Sequence, residues 1–158
     1  MVVAILVVLL SVLVVVLSRA RQTATSAACI GNLRAIGMGF RQYALEADGY
    51  LPNPIRYDTT WEASIVGYLG SRDVFICPAD AELGPVLGSS YDWRDTGDSR
   101  TTAAGKSPEI LRQDAVLAFD SLPGWHAQGK MNAVTVSIAA SAMTVEDCLG
   151  DLFEPSAR

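Results

Sequence analysis

The first 17 residues, Met1 to Leu17, carry no charged side chain, and Ser11 is the one polar interruption. Such a run needs an apolar partner along its length, so it decides where the first element can lie. As a helix at 1.5 Å per residue it reaches about 25 Å, near the lower limit for crossing a bilayer. Its eight valines weaken a helix in water. In lipid an unbonded backbone is so costly that helix forms regardless, and the Ser11 hydroxyl can bond back to a helix carbonyl.

Charge begins at Arg19 and Arg21. A cleavable secretory signal wants positive charge before its apolar core and a small-residue cleavage site close behind. Neither is present: nothing precedes the core, and "SAAC" at Ser26 to Cys29 lies beyond the two arginines. A plain anchor would, by the positive-inside rule, hold both arginines and the whole domain in the cytoplasm. A membrane segment that starts at its first residue reads instead as one whose front has been removed.

The remainder of the 158 residues has room for one modest domain with a single core. Mean hydropathy is +0.26, raised by the opening run. Net charge is −5, and Lys and Arg occur without a basic cluster, which argues against nucleic acid as a partner. Three cysteines cannot all pair within one chain. They contain no C-x-x-C element, which argues against a zinc site. Outside the cytoplasm one disulfide is allowed, and Cys77 with Cys148 is the expected pair because both fall in the globular part. Three unpaired thiols are the alternative.

Helical periodicity continues past the arginines. Ile30, Leu33, Gly37, Phe40 and Ala44, with Ile36 and Tyr43 alongside, form the stripe of a helix lying on a core. Arg34, Arg41 and Glu46 fall off it. Gly31, Gly37 and Gly39 each cost about 1 kcal/mol against Ala in a helix. Gly49 suits a left-handed cap, and Pro52 and Pro54 forbid continuation. The reading is one helix of some 45 residues, apolar all round in 1–18 and amphipathic over 22–48.

Shorter elements follow. Thr59 and Glu62 read as a capping box for a two-turn helix ending at Gly70. "VFICPAD" reads as a brief buried strand, 81–106 as a long loop region with an edge strand near Tyr91, and Ser107–Pro108 as a helix start. "AVLAFD" and "NAVTVSIAA" are the best strands, and "TVEDCLGDL" is a closing helix capped by Thr144.

Together "VVAILVVLLSVL", "SRARQTATSAACIGNLRAIGMGFRQYALEADGYLP", "VFICPAD" and "VLAFDS", followed by His126 and Asn132, resemble the type IV pilins and type II secretion pseudopilins, in the branch with a prepilin-type N-terminal cleavage and methylation motif. The stretch from Cys29 to Pro52 is the most specific. The family's basic leader ending in Gly, then Phe and a Glu at the fifth mature position, is not in this sequence, nor is the Asp-Gly turn that often follows the His. The resemblance implies an α+β fold in which a long N-terminal helix packs on a small antiparallel sheet. Residues 1–18 would be the transmembrane and filament-core half, and 19–158 a single extracytoplasmic head. It implies a structural subunit of a pilus-like or pseudopilus-like filament, a homo-oligomer held through the N-terminal helix. Its other partners would be membrane lipid, and a prepilin peptidase and assembly machinery if the leader exists. The expected location is the inner membrane with the head outside the cytoplasm. A monomeric anchored domain that binds a ligand or metal without polymerising is the alternative.

Chemistry-bearing residues are sparse. His126, the only histidine, lies near Asp120 and Ser121, but no G-x-S-x-G context marks a nucleophile, and a loop histidine with a structural hydrogen bond is the expectation. Asp92, Asp95 and Asp98 are three apart in a loop and offer hard oxygens. Their spacing is not that of an EF-hand, Arg94 and Arg100 supply counter-charge, and a solvated acidic loop is expected over a calcium site. Trp61, Trp93 and Trp125 could stack on sugars, yet core or rim packing is the ordinary use of such residues. The sequence thus assigns no catalytic, cofactor-binding or metal residue and no cofactor, and no enzyme activity is expected.

Overall fold

The structure is a computed structural model that describes residues 2–126 and 129–157, apart from the side chains of Ala4 and Val8. Helix α1 runs unbroken from Val2 to Glu46, about 68 Å at 1.5 Å per residue. It ends as the sequence requires: Asp48 and Gly49 both adopt positive φ, and the Gly49 N–H closes on the Ala44 carbonyl. The short helices α2 (Pro54–Tyr57) and α3 (Trp61–Ile65) and two 3₁₀ turns (Val66–Tyr68, Arg72–Phe75) follow. After α4 (Gly84–Leu87) come strands β1 (Tyr91–Trp93), β2 (Val116–Asp120), β3 (Met131–Thr135) and β4 (Ala140–Met143), then helix α5 (Val145–Phe153). The strands form one antiparallel sheet in the order β1-β2-β3-β4. The architecture is α+β, a long N-terminal helix packed on a small four-stranded sheet.

The predicted stripe on α1 is the face that covers the sheet. Leu33, Ile36, Gly37, Phe40 and Ala44 are buried, Ile30 and Tyr43 half-buried, and Arg34, Arg41 and Glu46 exposed. Phe40 stacks on Trp61 and Trp93, with ring centroids 5.6 and 4.9 Å away. Gly37 gains a reason here. A Cβ on Gly37 would sit 3.1 Å from Val134 Cγ2, so its absence lets helix and sheet approach closely.

The sheet has a second face, where Val116, Phe119, Met131 and Ala133 gather around Cys148 of α5. Arg94, at the end of β1, fastens α5 down. Its guanidinium is fully buried and donates to Thr101 O, Val116 O, Asp151 Oδ2, Asp151 O and Glu154 O. A buried cation on a helix's last carbonyls and on a carboxylate has its hydrogen-bonding capacity used. Arg112 pairs with the same Asp151 and with Glu154.

Several expectations are corrected. "VFICPAD" is not a strand: it is a 3₁₀ turn and an extended connection, held by Ser90 N–H on Phe75 O and Asn32 Nδ2 on Ile76 O rather than by a ladder. The cap of α3 is Thr60, whose hydroxyl accepts from Ala63 N–H, which moves the start one residue beyond the expected Thr59 box. No helix follows Ser107. The chain makes a turn there, because Leu111 bridges to Ala157 and Arg112 N–H bonds Ser156 O. "NAVTVSIAA" is not one strand but most of a hairpin: Thr135 and Ala139 are bonded across the turn and Ile138 takes φ +65°. Thr144 caps α5 as expected, accepting from Asp147 N–H.

Candidate functional site

Two regions stand apart from ordinary packing. The first is the front of α1. Every described apolar side chain from Val2 to Leu17 is exposed, Val2 and Val3 at 72% and Leu17 still at 47%. Burial begins only in the second half, at Cys29. Between the two, Thr23 and Thr25 turn their hydroxyls back onto the Arg19 and Arg21 carbonyls, so the helix carries its polar groups already bonded. The helix is long and apolar enough to cross a membrane near its N-terminus. A row of exposed Val and Leu this long is far beyond what a water-facing surface tolerates.

The second region is a buried polar cluster where α1 meets the sheet. Cys29, on the buried face of α1, is bonded to Cys77. This corrects the expected Cys77–Cys148 pair. Cys148 lies with the cluster on the other face of the sheet, whereas Cys29 and Cys77 share the core between α1 and the sheet. Beside the disulfide, His126 Nε2 stands 3.6 Å from Cys77 Sγ and 3.3 Å from Asp120 Oδ2. Asp120 and Asn132 are fully buried and His126 nearly so. The Asn132 N–H donates to Asp120 Oδ2 at 2.6 Å, and the Ser26 hydroxyl donates to Asn132 Oδ1 at 3.3 Å. Asp120 Oδ1, His126 Nδ1 and Asn132 Nδ2 have no hydrogen-bond partner among the described residues. Three such atoms in one cluster are unusual, because an unmade buried bond costs about 1–3 kcal/mol.

The candidate residues of the sequence divide accordingly. His126 and Asp120 are in contact, while Ser121 is exposed and its backbone N–H bonds Ser90 O. Asp92, Asp95 and Asp98 do not converge. Asp92 accepts from Trp93 N–H, Asp95 from the Thr102 hydroxyl, and Asp98 holds both the backbone and the guanidinium of Arg100. That pairing with Arg100 keeps the Asp98 carboxyl below its usual range. Arg94 is not a counter-charge of this loop but a buried clamp on α5. Trp61 and Trp93 are core residues around Phe40, and Trp125 is half-buried beside His126. A cavity of about 420 Å³ lies between the last turns of α1 and the 107–113 segment, with Arg41 and Glu109 among its polar lining. Sequence reasoning missed the meeting of Cys29, Cys77 and His126, since each comes from a different element and no local spacing reports it.

Compared with models of known families, with curated proteins and with solved structures, the chain finds no match.

Proposed function

We propose that this chain is a pilin-like or pseudopilin-like subunit, held in a bilayer by the front of α1 and assembled into a helical filament through the same segment. The observation that carries the reading is the division of one continuous helix. Its second half is committed to the head, and the described apolar side chains of its front are exposed. Such a front stays buried in either state, against lipid before assembly and against identical helices afterwards. Exchange between the two leaves the hydrophobic term nearly unchanged and lets helix–helix packing decide.

The head suits the outer, water-facing side of such an assembly. A disulfide between α1 and the 71–80 segment is the kind of tie that persists in an oxidising compartment. In this reading the head lies outside the cytoplasm, and a prepilin peptidase and an assembly machinery are its processing partners. The test is the intact mass and N-terminal sequence of the native protein from membrane and sheared-surface fractions. A methylated Phe as first residue, ahead of Met1, together with recovery in the sheared fraction, is the expected result. A chain that starts at Met1 and stays wholly in the membrane fraction would overturn the proposal and leave an anchored monomer.

A further inference from the structure

The Cys29–Cys77–His126 cluster has a geometry that the disulfide alone does not call for. The potential ligand atoms of these three residues all lie within 4.8 Å of one another, and all three residues are buried. Asp120 Oδ2 is 3.3 Å from the same His126 Nε2 but does not share this mutual closeness with the two sulfurs.

A tetrahedral zinc ion with bonds of about 2.3 Å to sulfur, 2.05 Å to nitrogen and 2.0 Å to oxygen fixes the distances between its ligands. Sulfur to nitrogen comes to about 3.6 Å and sulfur to sulfur to about 3.8 Å. The first matches the 3.6 Å between Cys77 Sγ and His126 Nε2. The two sulfurs are bonded to each other, so the site forms only once that bond is reduced. Reduction frees both cysteine side chains to rotate apart toward the spacing a cation needs.

We propose that the reduced form of the Cys29–Cys77 pair, together with His126 Nε2, holds one thiophilic divalent cation of the zinc class, with a water molecule as the fourth ligand. The metal would replace the disulfide as the tie between α1 and the segment carrying Cys77. The reaction balances simply. A dithiol reductant gives two electrons and two protons to the disulfide, becomes a disulfide itself, and leaves two thiols. The cation then displaces both thiol protons to solvent and binds two thiolates. Two thiolates balance the charge of the divalent cation. The alternative, two thiols buried beside a histidine and a carboxylate, leaves the polar atoms without that compensation. Neither the filament reading nor the anchored-monomer reading is needed for this site.

The experiment uses the full chain in detergent micelles under anaerobic conditions. A water-soluble phosphine cleaves the disulfide, taking oxygen from water to become the phosphine oxide and leaving two thiols. Cobalt(II) is then titrated as a spectroscopic stand-in for zinc. The expected result is one cobalt per chain with tetrahedral d–d bands and a thiolate charge-transfer band, all erased by added zinc. The unreduced chain should show none of these. His126→Gln keeps both cysteines, and circular dichroism of its oxidised form verifies the fold before reduction. In His126→Gln the cobalt affinity should fall by roughly tenfold or more, since even outer-shell losses cost that much. Should the reduced chain unfold, zinc is expected to restore its helical signal, as metal binding and folding are then one step. Absence of stoichiometric cobalt, bands without thiolate character, or equal affinity in His126→Gln would each overturn the site.

Discussion

Cys148 is the thiol left over when Cys29 and Cys77 pair, and it is buried against the far face of the sheet. Burial, with the charges of Asp120 and Asp151 adding to it, pushes this thiol up to about 12. It should therefore stay protonated and unreactive in the folded chain. Without reductant, an alkylating agent is expected to leave the native protein unlabelled and to add one group after denaturation; rapid labelling of the folded chain would contradict its placement. Asp80 shows the opposite chemistry. Burial alone would raise its carboxyl, but bonds from the Ser90 hydroxyl and from the Leu83, Gly84 and Glu82 N–H groups outweigh it and hold the pKa below the ordinary value. The folded state thus binds the proton less readily than the unfolded state. Its contribution is complete above the unfolded pKa of about 3.9 and is lost as pH falls through the lower folded value. Asp80→Asn should lower stability at neutral pH and flatten the acid limb of a stability–pH curve, and an unaltered acid limb would count against this account.

At the scale of elements, α1 is tied to the head by one aromatic anchor more than by any polar contact. Phe40 is fully buried between Trp61 and Trp93. Phe40→Ala should cost about 3–5 kcal/mol, read from denaturant unfolding with the disulfide intact, and should change the tryptophan fluorescence of the folded state. A cost under 1 kcal/mol would mean that the head is not organised around this stack. The face of α1 that carries Phe40 is legible in the sequence, because an apolar period of 3.6 sustained over many residues fits a helix and does not fit a strand. The "VFICPAD" stretch is not, since a short apolar run does not disclose whether a neighbouring strand exists to pair with it. The β3–β4 hairpin is hidden for a related reason. Its turn places Ile138, a β-branched residue, at φ +65°, where residue preferences would not put it.

For the whole molecule the question is what the front of α1 touches. Leu10 lies mid-way along the apolar run and is exposed in the chain by itself. Leu10→Arg should raise the cost of membrane insertion by about 2.5–3.5 kcal/mol. The measurement is the share of protein resisting carbonate extraction from membranes. That share is expected to fall sharply, while the purified variant keeps the circular dichroism of its head, because the core of the head does not include this segment. Undiminished integration would show that the front of α1 is not a lipid contact.

The amino-acid order by itself determined the long helix, its division into an apolar front and an amphipathic rear, its stop at Gly49, the β2 strand and the Thr144 cap. These rest on local rules of periodicity, capping and side-chain chemistry, which act between near neighbours in the chain. Only the tertiary structure decided the disulfide partner, the inward turn of Arg94 onto α5, and the meeting of His126 with Asp120 beside Cys77. Each joins residues far apart in sequence, and which distant groups meet depends on how the sheet's two faces are covered. Cys29 lies on the stripe facing one side and Cys148 on a helix covering the other, so Cys77 could reach only the first.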